Sequence, residues 1–187
     1  RSSDLSSNKE LVEAFGPELL HIAAQHNCSY LFEASVGGGI PLLAPILHCL
    51  AQEQIESVTG ILNGTTNYIL THMEQHQADY ESVLKEAQRL GYAEKNPEAD
   101  VEGHDTGRKI SILSSLISGK TVRFDETYTE GITAIAPADI SYAKANGYSI
   151  KLLGICRLFS SEADAPASRE EAQRIEVMTA PFLVPSG

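Results

Sequence analysis

Stretches patterned like strands alternate with stretches patterned like helices along this chain. Runs rich in β-branched and other apolar residues, such as "IESVTGILN", "GYSIKLLGICRLF" and "RIEVMTAPFLVP", predict strands. Between several of these runs, apolar residues recur three and four positions apart, which predicts amphipathic helices. Such an alternation favours a layered architecture, so we expect an α/β (α+β) fold in which helices cover a mixed β-sheet.

Local signals predict where some elements begin and end. The pair Gly16-Pro17 is expected to divide "NKELVEAFGPELLHIAAQHN" into two short helices. "SYLFEAS" predicts a strand, and Pro41 is expected to open a helix over "PLLAPILHCLAQEQ". Thr65 or Thr66 should begin the helix in "GTTNYILTHMEQHQ", because a threonine hydroxyl can cap the first turn.

Charge and cysteine content exclude several classes of partner. The formal net charge is −11, so the chain has no electrostatic reason to bind nucleic acid or an anionic membrane surface. No stretch is long and apolar enough to predict a membrane span. The three cysteines, Cys28, Cys49 and Cys156, are scattered in apolar contexts. They predict reduced, buried thiols and a cytoplasmic location instead of a disulfide framework.

A run of three glycines, "VGGGIP", lies between a predicted strand and a predicted helix. It contains neither the dinucleotide-binding nor the P-loop pattern, so it does not predict a nucleotide site. Two interpretations stay open. The glycines could turn several backbone carbonyls toward one point, which suits a hard cation such as Na⁺ or K⁺. Alternatively, the run is a plain tight turn from strand to helix.

His72 and His76 lie four residues apart on a predicted helix, a spacing that occurs in zinc sites. The segment "HMEQH" does not place a glutamate where the zinc-protease motif needs it, and the sequence indicates no third ligand. The pair therefore favours an ordinary solvated helix face.

The stretch "YAEKNPEADVEGHDTGRK", residues 92 to 109, leads from a polar loop into an apolar helix. Asp105 and Lys109 lie one helical turn apart on one face, while Arg108 should point about 100° away. An ordinary surface ion pair is one interpretation. The other is a site in which a carboxylate and an ammonium at the edge of the core bind an amino acid and move a proton. Gly103 and Gly107, which would let another group approach closely, favour the second.

Four motifs, in this order and spacing, resemble the catalytic domain of homoserine dehydrogenases: "FEASVGGGIP", "GILNGTTNYIL", "EAQRLGYAE" and "DVEGHDTGRK". The resemblance runs from about Asn8 to at least Ser160. Members of that family reduce L-aspartate 4-semialdehyde to L-homoserine with NADPH or NADH, on the route to threonine, methionine and isoleucine. The resemblance implies this activity, a fold like that catalytic domain, and a homodimer.

The resemblance also implies roles for individual residues. The lysine matching Lys109 is the general acid that protonates the carbonyl oxygen. The acids matching Glu94 and Asp105 hold the substrate. "SSNK" resembles the family's "TANK", which gives Lys9 a contact with cofactor and substrate, and Gly91 matches a backbone position lining the NADP or NAD cofactor.

"FEASVGGGIP" matches the family's monovalent-cation loop, which implies that the backbone carbonyls of Glu33, Val36, Gly38 and Ile40 bind Na⁺ or K⁺. This implication favours the cation interpretation over the plain turn. A side chain at Gly38 is then expected to crowd the carbonyls and to resist a positive φ.

Members of the family begin with a glycine-rich nucleotide-binding half, whereas only "RSSDLSSNK" leads into the first helix here. We expect residues 1–32 to be a remnant or linker from the nucleotide-binding domain. Residues 33–187 should form the substrate-binding catalytic and dimerisation domain. The chain is interpreted as a fragment of the enzyme that is inactive alone. The alternative is a non-catalytic binding or dimerisation module that keeps the fold.

Overall fold

The computed structural model describes residues 3–50, 53–159 and 174–186. In chain order, the elements are β1 (Ser3–Leu5), α1 (Lys9–Gln25), β2 (Ser29–Leu31), β3 (Ser57–Gly60), α2 (Gly64–His76), α3 (Tyr80–Leu90), α4 (Glu98–Val101), α5 (His104–Ser118), β4 (Tyr128–Thr129), α6 (Pro137–Ala145), β5 (Tyr148–Phe159) and β6 (Arg174–Pro185). β1 and β2 pair in parallel, and the other strands form a sheet in the order β3-β5-β6-β4. The predicted α/β class is confirmed.

The chain divides into two compact units. The first comprises Arg1–Thr59, Arg108–Thr127 and Ile155–Met178, as far as these ranges are described. The second comprises the described residues of Gly60–Gly107, Tyr128–Gly154 and Thr179–Gly187. Helix α5 and strands β3, β5 and β6 therefore each contribute residues to both units. The boundary expected after residue 32 stays a prediction.

The core of the second unit is built on α2. Ile69, Leu70 and Met73 are fully buried, because they lie on one face of that helix. Helix α3 adds Val83 and Ala87, which are four residues apart and so share a face. The remaining members of this buried cluster are Ala93, Val101, Ile132, Ile140, Ala143, Ile150 and Leu152. This packing holds α2, α4 and the loop between α3 and α4 in fixed positions.

In the first unit, α1 is one continuous helix, and the predicted break at Gly16-Pro17 is wrong. A proline inside a helix removes one N–H bond and crowds the preceding residue. Gly16 relieves the second effect because it has no Cβ, and an added one would only touch Val12 Cγ1 at 3.6 Å. Helix α1 and the later part of α5 line a largely apolar cavity of about 250 Å³.

The predicted starts of two helices are also wrong. Helix α2 is capped by Asn63, whose side chain accepts the N–H of Thr66 at 2.9 Å, so neither predicted threonine is the cap. The helix expected from Pro41 is a π-helix over Pro45–Cys49. Pro45 has no N–H to extend a regular helix, and the wider turn is closed by Leu50 N–H donating to the Pro45 carbonyl at 3.1 Å.

Several other elements differ from the expected ones. In "SYLFEAS" only Ser29–Leu31 is a strand, and Glu33–Ser35 follows as a 3₁₀ turn. Helix α6 and the short strands β1 and β4 were not anticipated from the sequence. The strands expected in "GYSIKLLGICRLF" and "RIEVMTAPFLVP" are confirmed as β5 and β6.

The three cysteines form no disulfide, as predicted, and all three lie in the described ranges. Their predicted burial is right for Cys156 and wrong for Cys28 and Cys49, which are exposed. Burial raises the pKa of the Cys156 thiol, and a hydrogen bond with Ser114 opposes that shift. Within the described ranges, none of the helices is long and apolar enough to cross a membrane.

Gly103 separates α4 from α5 and, among the described glycines of the second unit with a positive φ, is the most crowded. Its φ is +81°, and an added Cβ would lie 3.1 Å from the Glu130 carbonyl oxygen and 3.2 Å from Thr179 Cγ2. Gly147 has a φ of +80° but nothing within 4 Å of an added Cβ. The predicted close approach at Gly103 is confirmed, although Gly103 itself is not helical.

We expect Gly103→Ala to lower the free energy of unfolding by roughly 1–3 kcal/mol more than Gly147→Ala, because only the first adds crowding to the cost of positive φ. Urea unfolding followed by circular dichroism measures both. Equal losses would show that the crowding at Gly103 relaxes without cost.

Candidate functional site

Two carboxylates of the second unit meet at one amide. Asp105 lies in the first turn of α5 and is only 4% exposed. Asn63 Nδ2 donates to Asp105 Oδ2 at 3.0 Å and to Asp100 Oδ1 at 2.7 Å. A buried carboxylate without partners would be costly. The amide therefore stabilises Asp105 in the position that the fold gives it.

The loop between α3 and α4 carries Glu94, and neighbouring helices anchor its backbone. Gln88 Nε2 donates to the carbonyl oxygens of Glu94 at 3.0 Å and Lys95 at 3.4 Å. Thr65 Oγ1 donates to the Tyr92 carbonyl at 2.9 Å. Glu94 itself is exposed. A held backbone with an exposed carboxylate suits a group that meets a ligand entering from solvent.

An open concavity of about 710 Å³ lies beside this loop in the second unit, and Gly91 is among its lining residues. Gly91 has a φ of +81° and ends α3, a left-handed conformation that glycine adopts readily at a helix C-terminus. Tyr68 stacks on Tyr92 at 4.6 Å and on His72 at 4.1 Å between ring centroids. His72 is therefore part of an aromatic stack on the face of α2.

Lys109, the predicted proton donor, belongs to the first unit and is half-buried. It follows Asp105 by one turn of the continuous helix α5, so the two residues share a helix face. The predicted register of this pair is confirmed. Among the other predicted site residues, Lys9 lies in the first unit at the start of α1, and Gly91 and Glu94 lie in the second unit.

Arg108, next to Lys109, has its own partners in the first unit. Its guanidinium carbon lies 4.8 Å from the centroid of the Phe124 ring, and Nη2 lies 3.9 Å from Glu10 Oε1. Glu13 Oε1 accepts the N–H of Phe124 at 2.8 Å. These contacts join α1, which begins at Lys9, to the helix that carries Lys109. Nothing in the local pattern around Arg108 indicated them.

The glycine loop of the first unit carries the four backbone carbonyls that the family resemblance assigns to a cation. Within the described residues, the carbonyl oxygens of Val36, Gly38 and Ile40 accept no hydrogen bond. The Glu33 carbonyl accepts long bonds from Val36 N at 3.3 Å and Gly37 N at 3.2 Å. Carbonyl oxygens without protein donors are the ligands that a hard monovalent cation prefers. The donor chemistry therefore fits Na⁺ or K⁺.

The expectation about Gly38 is half right. Its φ is +59°, as a tight loop requires, but nothing lies within 4 Å of an added Cβ. The crowded position is Gly37, where an added Cβ would overlap the Ile40 carbonyl oxygen at 2.2 Å. The absence of a side chain at Gly37 therefore leaves the space that the Ile40 carbonyl oxygen occupies.

The Glu33 side chain has a role that the sequence did not indicate. Its carboxylate accepts the N–H groups of Leu42, Leu43 and Ala44 at 2.5, 2.7 and 2.8 Å. Burial raises the pKa of this carboxyl, but the three N–H groups together lower it below its ordinary value. The carboxylate thus joins the glycine loop to the turn that follows, so Glu33 could meet a cation only through its carbonyl, which also accepts the two long hydrogen bonds.

Comparisons with known proteins show which family the chain belongs to. A family model described as "Homoserine dehydrogenase" matches residues 41–186. Homoserine dehydrogenase of Corynebacterium glutamicum is 45% identical over 183 residues, which are 98% of this chain and 40% of the relative. The Synechocystis relative of the same name is 43% identical over 180 residues, or 96% of this chain and 40% of the relative. The chain thus spans about 40% of the length of these curated relatives.

Solved structures give the same likeness. The homoserine dehydrogenase of Thiobacillus denitrificans superposes with a TM-score of 0.86 at 41% identity, covering 97% of this chain and 39% of that one. A putative homoserine dehydrogenase of Archaeoglobus fulgidus gives 0.85 at 37% identity, covering 98% of this chain and 52% of that one.

Proposed function

Because this chain belongs to the homoserine dehydrogenase family, we propose that it supplies the substrate-binding and proton-donating part of a homoserine dehydrogenase. The reaction interconverts L-aspartate 4-semialdehyde and L-homoserine with NADPH or NADH. The observation that carries the proposal is buried Asp105, held by an amide, one helical turn before half-buried Lys109. A module used only for binding or dimerisation would need no such pair.

In this mechanism the carboxylates hold the amino acid and the lysine moves the proton. Glu94 binds the substrate ammonium from its anchored loop, since a charge-assisted hydrogen bond to a carboxylate suits that group. Asp105 contacts the substrate beside Lys109. When the aldehyde is reduced, Lys109 Nζ donates a proton to the carbonyl oxygen, which becomes the hydroxyl of homoserine. In the opposite direction Lys109 accepts that proton.

The nicotinamide cofactor, when bound, supplies or accepts the hydride. We propose that Lys9 and the backbone at Gly91 contact it. Two features support this: Lys9 begins α1, and Gly91 lies on the open concavity of the second unit. The choice between NADP and NAD depends on the residue that meets the ribose 2′ position.

A chimera tests the proposal. This chain would replace the matching segment of the Corynebacterium glutamicum relative, to which it is 45% identical. NADPH oxidation with L-aspartate 4-semialdehyde should then proceed at a rate comparable with that of the relative. Calorimetry on the 187-residue chain would measure homoserine binding in parallel. A folded chimera that binds homoserine without turnover would instead support the binding module.

We also propose that the glycine loop binds Na⁺ or K⁺ through the carbonyls of Glu33, Val36, Gly38 and Ile40. The cation would stabilise the turn after β2 and take no part in the chemistry. The carbonyls of Val36, Gly38 and Ile40, which accept no hydrogen bond from the residues that the structure describes, support the proposal.

In NaCl or KCl, the chain should melt at a higher temperature than in choline chloride of equal ionic strength, because the cation binds only the folded loop. Gly37→Ala should abolish this difference, since its Cβ would displace the Ile40 carbonyl. Gly39→Ala is the matched control, because nothing lies within 4 Å of an added Cβ there. Melting temperatures that do not depend on the cation in the wild-type chain would favour the plain turn.

Finally, we propose that the protein is a cytoplasmic homodimer. The cysteines without disulfides support the location. The apolar strand β5 and the family resemblance support the dimer. Sedimentation at micromolar concentration tests the dimer, and a monomer there would contradict it.

A further inference from the structure

Asn63 uses every hydrogen-bonding position of its side chain. Its two Nδ2 hydrogens go to Asp100 Oδ1 and Asp105 Oδ2, at 2.7 and 3.0 Å. Its Oδ1 accepts from Thr66 N–H at 2.9 Å and from the Thr66 hydroxyl at 3.0 Å. An amide offers two donors and one acceptor oxygen, so the side chain is fully satisfied. The opposite orientation would turn the amide oxygen toward two carboxylates, so this network selects one orientation.

The surroundings make this amide hard to replace with water. Asn63 is 6% exposed and Asp105 is 4% exposed. Two carboxylates that approach one point repel each other, and burial adds a penalty for each charge. An N–H donor to each carboxylate offsets both effects. Removing the donors would take one hydrogen bond away from each of the two carboxylates, Asp100 and Asp105.

Capping of α2 does not account for these contacts. A helix N-cap needs an oxygen that accepts an N–H of the first turn, and Oδ1 provides it. The Nδ2 group lies on the other branch of the amide and takes no part in capping. It nevertheless donates to residues 37 and 42 positions away in the sequence. These long-range bonds therefore indicate a second role.

We propose that Asn63 is a positioning residue that holds the Asp105 carboxylate in the orientation in which it contacts the substrate, with Asp100 as the second anchor of the amide. This inference rests on the proposed function and deepens it. Asn63 does not touch the reacting atoms. It acts through Asp105, by joining the start of α2 to α4 and to the first turn of α5.

Two substitutions separate this role from capping. Asn63→Ser and Asn63→Asp both keep an oxygen that can cap α2, because serine, aspartate and asparagine are comparable N-caps. Asn63→Ser removes both donors to the carboxylates. In the chimera it should lower kcat/KM for homoserine by about 10–100-fold, the usual size of a small misplacement in a site.

Asn63→Asp adds a pH signature. The introduced carboxyl faces Asp100 from α4 and Asp105 from α5, and it can donate a hydrogen bond only while it is protonated. Its ionisation would place a third negative charge beside these two. Relative to the wild-type chimera, kcat/KM of this variant should therefore fall as the pH rises. A residue that only stabilised the fold would not produce this divergence.

Asp79→Ala is the matched control. Asp79 caps α3 by accepting the N–H of Ser82 at 3.0 Å, and its side chain contacts neither Asp100 nor Asp105 within the described residues. Its loss should lower the melting temperature and leave kcat/KM within about twofold, as expected for the loss of a cap alone.

The outcomes decide between the interpretations. One outcome would contradict the inference: a folded Asn63→Ser protein with wild-type kcat/KM, together with an Asn63→Asp pH profile parallel to that of the wild type. Asn63 would then act only as the N-cap of α2. If Asn63→Ser fails to fold, the pH profile of the closer-sized Asn63→Asp decides alone. An inactive wild-type chimera would contradict the proposed function itself, whereas failure of this inference appears only in the variants.

Discussion

Lys109→Ala should lower kcat by roughly 10²–10⁴-fold in the chimera, the usual range for losing a positioned general acid. KM should change much less, because in the proposed mechanism Lys109 acts mainly when negative charge develops on the substrate oxygen. Its place one turn after Asp105 on α5 motivates the expectation. Steady-state kinetics in both directions, with circular dichroism to confirm folding, measure the effect.

The choice of control for Lys109 depends on the tertiary structure. Arg108 should point about 100° away on the helix, which would make it a neighbour without effect on the reaction. Its guanidinium, however, lies over the Phe124 ring and near Glu10, so truncation would also disturb packing. Lys144, exposed on α6, is the better control. A folded Lys109→Ala protein with nearly wild-type kcat would contradict the proposal that Lys109 is the proton donor.

Glu94→Ala should raise KM for homoserine by roughly 10–100-fold with a smaller change in kcat. Loss of a hydrogen bond to a charged group costs about 1.5–3 kcal/mol, which corresponds to that factor. The loop should keep its shape, because Gln88 binds the backbone carbonyl of Glu94 and not its carboxylate. Asp105→Ala should affect both kcat and KM, since Asp105 is proposed to contact the substrate and lies one turn from Lys109.

Glu98→Ala is the control for Glu94. Glu98 is also exposed and acidic, and it lies in the first turn of α4, just after the same loop. The two substitutions remove the same charge from neighbouring positions. Equal KM values in the Glu94→Ala and Glu98→Ala proteins would show that Glu94 contributes only its negative charge to the loop and makes no specific contact with the substrate.

Local chemistry explains what could be predicted from the sequence. The strands β5 and β6 followed from their apolar, β-branched composition. The register of Asp105 and Lys109 followed from helical periodicity, and the four motifs identified the family that the comparisons confirm. The same local rules were wrong at Pro17, where the absence of a Cβ on Gly16 lets α1 continue.

The contacts that complete the candidate site join residues far apart in the chain. Asn63 meets Asp105 across 42 positions, and Glu13 meets Phe124 across 111. The residues that adjoin each partner in the sequence carry no periodic pattern that depends on the other partner. Neither spacing nor composition could therefore indicate such a pair. The local signal at Asn63 would have identified a helix cap at most.

The α/β class, the family and the candidate chemistry of Glu94, Asp105 and Lys109 could be inferred before folding was considered, because periodicity and linked motifs are properties of the chain. The folded molecule was needed to find the amide that holds Asp105, the glycine-loop carbonyls that lack donors among the described residues, and the crowding at Gly37. Those outcomes depend on distances between segments, and the distances exist only once the core has packed.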